Sequence, residues 1–365
     1  MSRFILMAGG SGGHLFPAMS LAQELRRRGH DIQLMTDHRV GAYGEFPASA
    51  THIIPSATPS VRDPVKFVLA GIKLVWGTAV AFGKLLAIKP DAVVAFGGYP
   101  VFPPFVAASL LGIPGVLHEQ NAVMGRANRA LARRAKLIAL SFARTAYAEP
   151  FGNKSLLVGN PLRDRVLVAA KTPYPAITAT SPLNILVVGG SQGARVFSDL
   201  LPATISELPP EIRSRLRIVQ QCRPEDLDRV TEAYRQAKVN VELASFFSDL
   251  PERIASSHLV ITRSGASTVA ELCAIGRPAI LVPLPGALDA DQKNNALVLE
   301  TAGGGWIEEQ ATVSPLSLGT RLLSLFSEPD SLITAAAAAK SLGQPDAVKK
   351  LADAVERIAQ KGTNS

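Results

Sequence analysis

Cysteine is almost absent: Cys222 and Cys273 are the only two in 365 residues. That excludes a disulfide framework, and neither stands in a Cys-x-x-Cys or Cys/His metal spacing, so a reducing compartment, the cytoplasm, is expected. Aromatic residues make up only 6% of the chain. With no recognised binding motif and no aromatic stacking platform beside its basic charge, no nucleic acid is expected as a partner. The sequence has no His-Glu-x-x-His, no EF-hand loop and no Asp-x-Asp in its first half, so no metal site is expected. No cofactor is required on this reading, and a loosely associated divalent ion stays open. No Gly-Lys-Ser/Thr follows a glycine run, which removes the Walker loop. No signal-peptide-length apolar segment precedes Phe4-Ile5-Leu6-Met7, and no export signal is expected.

What is abundant is aliphatic. Hydrophobic residues are 47% of the chain and mean hydropathy is +0.19, which sets disorder aside and suits an α/β protein with many buried strands. At this length two domains are the default, because a single core rarely keeps growing. Lys and Arg outnumber Asp and Glu by 38 to 30, a net charge of +8, and point to a polyanionic partner, nucleic acid, an anionic membrane surface or a phosphorylated substrate, among which charge alone does not choose.

Short aliphatic runs alternate with helical patterns: Phe4 to Met7, Ile32 to Met35, Ala92 to Ala95, Gly115 to Leu117, Ile185 to Val188, Arg217 to Gln220, Leu259 to Ile261 and Ala279 to Val282. These predict buried parallel strands of βαβ units. Ile5 to Gly13 is echoed about 180 residues later by Ile185 to Gly193, so each half begins strand, glycine turn, helix. The expected fold class is α/β, two Rossmann-like doubly wound parallel-sheet domains facing a cleft. Lys171 to Pro182, rich in Pro, Thr and Ala, reads as a linker, and the expected domains are residues 1–162 and 163–345. The period Val348, Leu351, Val355, Ile358 predicts a final helix over about 346–361 that packs back on the first domain.

A glycine turn between a strand and a helix brings main-chain N–H groups and the positive end of the helix dipole to an anion. Neither loop has the dinucleotide fingerprint, since Gly10-x-Gly12 is followed by Leu15 and Gly190-Ser-Gln-Gly193 lacks the spacing. His14 opens the first helix, either as a general base or as a capping or core histidine. His118-Glu119-Gln120-Asn121 follows a strand, where open sheets place ligands; a satisfied structural network is the other reading. Arg263-Ser264-Gly265-Ala266-Ser267-Thr268-Val269-Ala270-Glu271 offers N–H donors and, two turns in, a carboxylate suited to a ribose diol, unless Glu271 is an ordinary solvated helix residue. Asp289, Asp291, Gln292, Asn294 and Asn295 gather groups that recognise sugar hydroxyls, or form a polar loop with a helix cap.

Taken together, Gly9-Gly10-Ser11-Gly12-Gly13-His14-x-x-Pro17-Ala18, Gly97-Gly98-Tyr99, His118-Glu119-Gln120-Asn121, Gly159-Asn160-Pro161-x-Arg163, Gly189-Gly190-Ser191-Gln192-Gly193-Ala194 and Arg263-Ser264-Gly265-Ala266 resemble, in order, the motif set of the MurG enzymes of glycosyltransferase family 28. The resemblance spans roughly residues 3 to 350 and implies the GT-B architecture. It implies UDP-N-acetylglucosamine on the second domain, with Ser191 at the phosphates, Phe247 at uracil by its backbone, Glu271 at the ribose and Arg163 reaching the nucleotide. Ala266, Ser267, Thr268, Val269, Ala270 and Glu271 would form the helix start beside the diphosphate, and Gln292 and Asn295 would hold the transferred sugar. Ser11, Gly12, Gly13, His14 and Asn121 would line the acceptor side. The implied reaction is an inverting transfer to the C4 hydroxyl of undecaprenyl-linked muramyl-pentapeptide, lipid I, giving lipid II in peptidoglycan synthesis, with His14 as base. Two positions depart from the usual pattern: Ser11 stands where most members carry Thr, and Asp291 precedes Gln292 where a Gln pair is common.

A polyprenyl chain stays in the bilayer, so such an enzyme works at the cytoplasmic face of the bacterial inner membrane as a peripheral protein. The apolar stretch Val65 to Ile88 is interrupted by Lys66, Lys73 and Lys84, which at about 100° per residue return to nearly one face with Trp76 at its flank. It reads as an amphipathic helix facing anionic lipid. Arg126, Arg129, Arg133 and Lys136 form a second basic series. Both series are equally readable as solvated helix faces. The competing functions are another GT-B enzyme, such as a UDP-N-acetylglucosamine 2-epimerase or a lipid galactosyltransferase, and a nonenzymatic nucleotide-sugar or membrane module.

Overall fold

Alternate residues of the first strand bury themselves on opposite sides: Phe4 and Leu6 join one hydrophobic cluster, Ile5 and Met7 another. A strand does this when helices cover both faces of its sheet. The computed structural model describes residues 1–39, 45–59, 63–178, 180–190 and 193–363. The chain divides into two units, Met1–Arg163 with Pro345–Ser365, and Asp164–Gln344.

The first unit runs β1 (Arg3–Met7), α1 (Gly12–Arg27), β2 (Asp31–Thr36), β3 (Ala50–Ile53), α2 (Pro64–Ile88), β4 (Ala92–Ala95), α3 (Phe102–Leu110), β5 (Gly115–Glu119), α4 (Arg126–Leu131), β6 (Leu137–Leu140) and β7 (Ser155–Leu157). Its strands pair in parallel in the order β3-β2-β1-β4-β5-β6-β7. The second unit runs α5 (Asp164–Ala169), β8 (Leu183–Val188), α6 (Arg195–Ser206), α7 (Pro210–Arg213), β9 (Leu216–Gln221), α8 (Leu227–Gln236), β10 (Asn240–Ala244), α9 (Leu250–Ser256), β11 (Leu259–Thr262), α10 (Ala266–Ile275), β12 (Ala279–Leu281), α11 (Asp291–Thr301), β13 (Gly305–Ile307), α12 (Pro315–Ser327) and α13 (Pro329–Ser341). Its sheet is also parallel, in the order β10-β9-β8-β11-β12-β13.

The last helix, α14 (Ala347–Thr363), belongs to the first unit and packs on α1. Leu351, Ala352, Val355 and Ala359 enter the cluster that holds Leu21 and Leu25 of α1. Beside this seam Arg28 bridges Asp353 and Glu356, and His30 Nε2 lies 2.8 Å from Glu356.

The eight predicted strands are present, and five more, β3, β6, β7, β10 and β13, join them. Four of the five are sheet edges. An edge strand is covered on fewer sides and carries polar residues, here Thr51 and His52 in β3 and Asn240 and Glu242 in β10, so it shows no continuous apolar run. The segment Lys171 to Pro182 is not a free linker; it lies within the second unit. The buried Arg277 guanidinium donates to the carbonyls of Thr172 and Pro173 as well as Ala255, Ile275 and Gly276, and Tyr174 donates its hydroxyl to His258. Burial pushes the Arg277 pKa down to about 10.

Helix α2 differs from its predicted amphipathic form. Its buried stripe is Ala70, Gly77, Ala81 and Leu85, mostly small residues that let it lie close to α3. Most large side chains of its N-terminal half face outward instead: Ile72, Val75 and Trp76 are 62%, 72% and 63% exposed, and Val65, Phe67, Val68 and Leu69 are exposed beside them. Lys66 and Lys73 share this outer surface, while Lys84 is half-buried. The helix is long and apolar enough to cross a membrane.

A Cβ at Gly77 would collide with the Pro55 carbonyl, whereas Gly71 and Gly83 of the same helix face open space. Gly77→Ala is therefore expected to lower stability by about 1–3 kcal/mol through overpacking. Gly71→Ala and Gly83→Ala should each raise it by up to about 1 kcal/mol through helix propensity. Thermal or urea unfolding of the three variants checks the contrast.

Candidate active site

In the first sheet β1 lies between β2 and β4, the point at which the strand order reverses and the carboxyl ends of open sheets leave a crevice. The turn after β1 carries Ser11, Gly12 and Gly13 into α1, whose N-cap, Ser11, makes no side-chain capping bond. Ser11 and Gly13 are exposed, Gly12 is buried, and the His14 ring is half-buried. That ring rests on the turn after β4. Gly97 and Gly98 both take positive φ, and a Cβ on either would stand 3.2 or 3.3 Å from an imidazole carbon. Only glycine supplies both the backbone conformation and the flat floor.

Residues 118–121 leave β5 next to this ring. Gln120 Oε1 lies 3.3 Å from His14 Nδ1, Gln120 Nε2 lies 2.9 Å from His118 Nδ1, and His118 Nε2 lies 3.1 Å from the Gly159 carbonyl oxygen. Glu119 is buried, and its carboxylate accepts from the backbone N–H of Asn121 and Gly125 and from the side-chain amides of Asn121 and Asn128. Burial raises its pKa against the pull of those four donors. Glu119 thus shapes the loop that presents Asn121, which is half-buried. Burial lowers the His14 pKa below the usual histidine value, opposed by Gln120 and the Phe96 carbonyl, with Arg39 pushing the same way as burial. Burial holds His118 at about 4. Both imidazoles are neutral at pH 7.

The second unit repeats the arrangement, with β8 between β9 and β11. Ser191 lies outside the described residues; its neighbours Gly190 and Gly193 both take positive φ. After β11, Ser264 and Gly265 lead into α10, whose N-cap, Gly265, brings no side-chain cap to the first-turn N–H groups of Ala266, Ser267 and Thr268. The buried hydroxyl oxygens of Ser264 and Ser267 make no hydrogen bond among the described residues. Val269 is fully buried, Ala266 nearly so, and Ala270 half-buried. Glu271 is buried and not an ordinary solvated helix residue.

Phe247, in the loop between β10 and α9, is buried beneath the Arg253 guanidinium, 4.4 Å from its ring centroid, and its neighbour Phe246 is exposed. Gln292 Oε1 accepts from the Leu284 backbone N–H, and Asn295 is fully buried with its amide nitrogen on the Ser264 carbonyl. These two bonds tie α11 to the loops after β12 and β11. Arg163, the last residue of the first unit, stacks its guanidinium 4.7 Å from the Phe16 ring centroid. Among the described residues no three His, Cys, Asp or Glu side chains gather as a metal site.

Comparison with known proteins decides the family. The glycosyltransferase family 28 N-terminal domain matches residues 4–140 and the C-terminal domain matches residues 184–355. The chain belongs to glycosyltransferase family 28. It is 49% identical over 359 residues, 98% of this chain and 96% of the other, to a Rhizobium rhizogenes protein named UDP-N-acetylglucosamine--N-acetylmuramyl-(pentapeptide) pyrophosphoryl-undecaprenol N-acetylglucosamine transferase. A Methylobacterium nodulans protein of the same name is 51% identical over 97% of this chain and 96% of its own. The crystal structure of Acinetobacter baumannii MurG superposes with a TM-score of 0.81 at 30% identity, covering 98% of this chain and all of that one. The two parallel-sheet units are those of the GT-B fold. That fold is wider than family 28, since a Listeria monocytogenes protein described as a UDP-N-acetylglucosamine 2-epimerase superposes at a TM-score of 0.68 with 13% identity.

Within this family 28 chain the structure brings Ser11, Gly12, Gly13, His14 and Asn121 to one end of the first sheet, and Ala266 to Glu271 with Asn295 to the matching end of the second. Sequence reasoning gave no role to Gly97 and Gly98 as the floor of His14, to Gln120 as its partner, or to the buried Ser264. The pattern Gly-Gly one residue beyond a strand signals the first of these; the others depend on side-chain direction.

His118 has a testable stability signature. Its folded pKa of about 4 lies below the unfolded value of 6.5, so between the two the unfolded chain binds the extra proton. Its contribution is intact above pH 6.5 and is lost as pH falls towards 4, by roughly 3 kcal/mol. Glu119, raised by burial, acts in the opposite sense. Urea unfolding from pH 7 to pH 4 should therefore show a shallower loss of stability in His118→Gln than in the wild type; equal slopes would contradict the assignment.

Proposed function

We propose that this chain transfers N-acetylglucosamine from UDP-N-acetylglucosamine to the C4 hydroxyl of undecaprenyl-pyrophosphoryl-muramyl-pentapeptide, with inversion at the anomeric carbon. The observation that carries the reading is identity near 50% over almost the whole chain to enzymes named for this transfer. His14 is the base. Its imidazole, neutral at pH 7, takes the proton of the acceptor hydroxyl as that oxygen attacks the anomeric carbon, while the bond to the UDP oxygen breaks. The diphosphate leaves with its charge facing the first-turn N–H groups of α10 and the Ser264 and Ser267 hydroxyls. No resident cofactor is needed for these steps. Ser191, Phe247, Glu271 and Arg163 bind the nucleotide, Gln292 and Asn295 shape the sugar site, and Ser11, Gly12, Gly13 and Asn121 line the acceptor side.

The acceptor's lipid tail places the enzyme peripherally on the cytoplasmic face of the inner membrane. Helix α2 is the docking element: it exposes a contiguous apolar surface flanked by Lys66 and Lys73, a combination suited to an anionic bilayer surface. It lies along the bilayer and does not cross it, because the strands at its two ends, β3 and β4, belong to one sheet. The basic series adds less than its spacing promised. Helix α4 ends at Leu131 and the chain turns at Ala132–Arg134, so the four cations do not share one helix, and Arg129 lies over the Tyr147 ring.

Two experiments test these assignments. His14→Ala should lower kcat by about 10²–10⁴-fold in radiolabelled sugar transfer to a short-chain acceptor while UDP binding survives; retention of turnover would remove His14 as base. Replacing Ile72, Val75 and Trp76 together by Ser, or reversing the charge at Lys73 and Arg129, should weaken binding to vesicles containing anionic lipid, the triple change more so. Unchanged vesicle binding in both would place the docking surface elsewhere.

A further inference from the structure

We propose that Gln120 and His118 are positioning residues that hold His14 in the tautomer with its proton on Nδ1, leaving the Nε2 lone pair to receive the acceptor proton. The inference rests on the reading of His14 as base, and it follows from which atoms can only accept.

Two backbone carbonyls fix the direction of the side-chain network. The Gly159 carbonyl faces His118 Nε2 at 3.1 Å, so that nitrogen carries the proton, and in a neutral ring Nδ1 is then an acceptor. The atom of Gln120 that faces His118 Nδ1 must therefore be the amide nitrogen. The second carbonyl, of His118 itself, reaches the same conclusion: it lies 3.2 Å from that Gln120 atom and also accepts from Asn128. Turning the Gln120 amide over would set oxygen against oxygen there and leave His118 Nδ1 without a donor. With the nitrogen so placed, Gln120 Oε1 faces His14 Nδ1, and an amide oxygen accepts only. His14 thus carries its proton on Nδ1, and when Nε2 gains a proton in the reaction, the existing bond to Gln120 remains and stabilises the imidazolium.

The surroundings keep this polarity in place. His118 is fully buried against Phe96, ring centroids 5.3 Å apart, and its low pKa keeps it neutral under working conditions. The His14 ring lies against Gly97 and Gly98, so turning Nδ1 away from Gln120 would require moving the turn after β4. The charged and titratable groups acting on His14 are Arg39 and His118, and neither takes its Nδ1 proton.

The test is the long-range 15N–1H spectrum of histidine-labelled protein, with its six histidines assigned through single substitutions. In the wild type His14 should show the Nδ1–H pattern and His118 the Nε2–H pattern. In Gln120→Met, which keeps the length of the side chain but neither accepts nor donates as the amide does, His14 should lose the pure Nδ1–H pattern. Its kcat should fall about 10- to 1000-fold, with KM for UDP-N-acetylglucosamine unchanged. A wild-type His14 protonated on Nε2 overturns the proposal even if the variant fails to fold, and so does wild-type kcat in a folded Gln120→Met. Should the Nδ1–H pattern hold while His14→Ala keeps full turnover, the tautomer assignment stands and the base assignment falls.

Discussion

β1 is flanked by β2 on one side and β4 on the other, and β8 stands in the same relation to β9 and β11. In an all-parallel sheet the connections from such a strand depart in opposite directions, and the loops at its carboxyl end are held apart. That separation is the constraint on which the candidate site depends. It leaves the first turns of α1 and α10 with N–H groups that no side chain caps, where a helix that ended in solvent would normally carry Ser, Thr, Asp or Asn in a capping bond. In this chain the positive helix ends stay uncapped by side chains, with glycine and small residues around them.

The network between Gly159 and His14 is a buried polar cluster of the kind that can specify one chemical state. Each bond in the line from Gly159 through His118 and Gln120 to His14 is modest by itself, about 1 kcal/mol net. Their value lies in direction: a carbonyl cannot donate, so fixing either end fixes every proton between. Burial supplies the energetic penalty against alternatives, since an unsatisfied buried donor or acceptor costs about 1–3 kcal/mol. Glu119 serves the same loop from the other side, by gathering four donors onto one carboxylate.

How much of this was legible in the sequence follows from what each feature depends on. The interior strands other than β6 were legible because burial on both faces produces unbroken aliphatic runs, as in Phe4 to Met7 and Ile185 to Val188. The edge strands β3 and β10 were hidden by their polar residues, and three-residue β7 and β13 by their brevity. The loop motifs were visible as motifs, but their internal division of labour was not: Gln120 and Asn121 are neighbours in sequence, yet one turns to His14 and the other to Glu119. Lys171 to Pro182 looked like a linker because composition records the lack of periodicity, while the grip of Arg277 on Thr172 and Pro173 comes from a residue a hundred positions away.

Helix α2 inverts the ordinary rule of amphipathicity along much of its length. A helix that only needed to cover its sheet would bury Ile72, Val75 and Trp76 and expose its alanines and glycines. Here Ala70, Gly77 and Ala81 face inward and allow close approach to α3, while Ile72, Val75 and Trp76 stand in water. Leaving a large aliphatic or aromatic side chain exposed forfeits roughly 1.5–3 kcal/mol of burial free energy. Several such residues on one helix amount to a standing preference for an apolar environment outside the protein. Because small residues on the inner face satisfy the packing of the first unit, that preference is independent of folding.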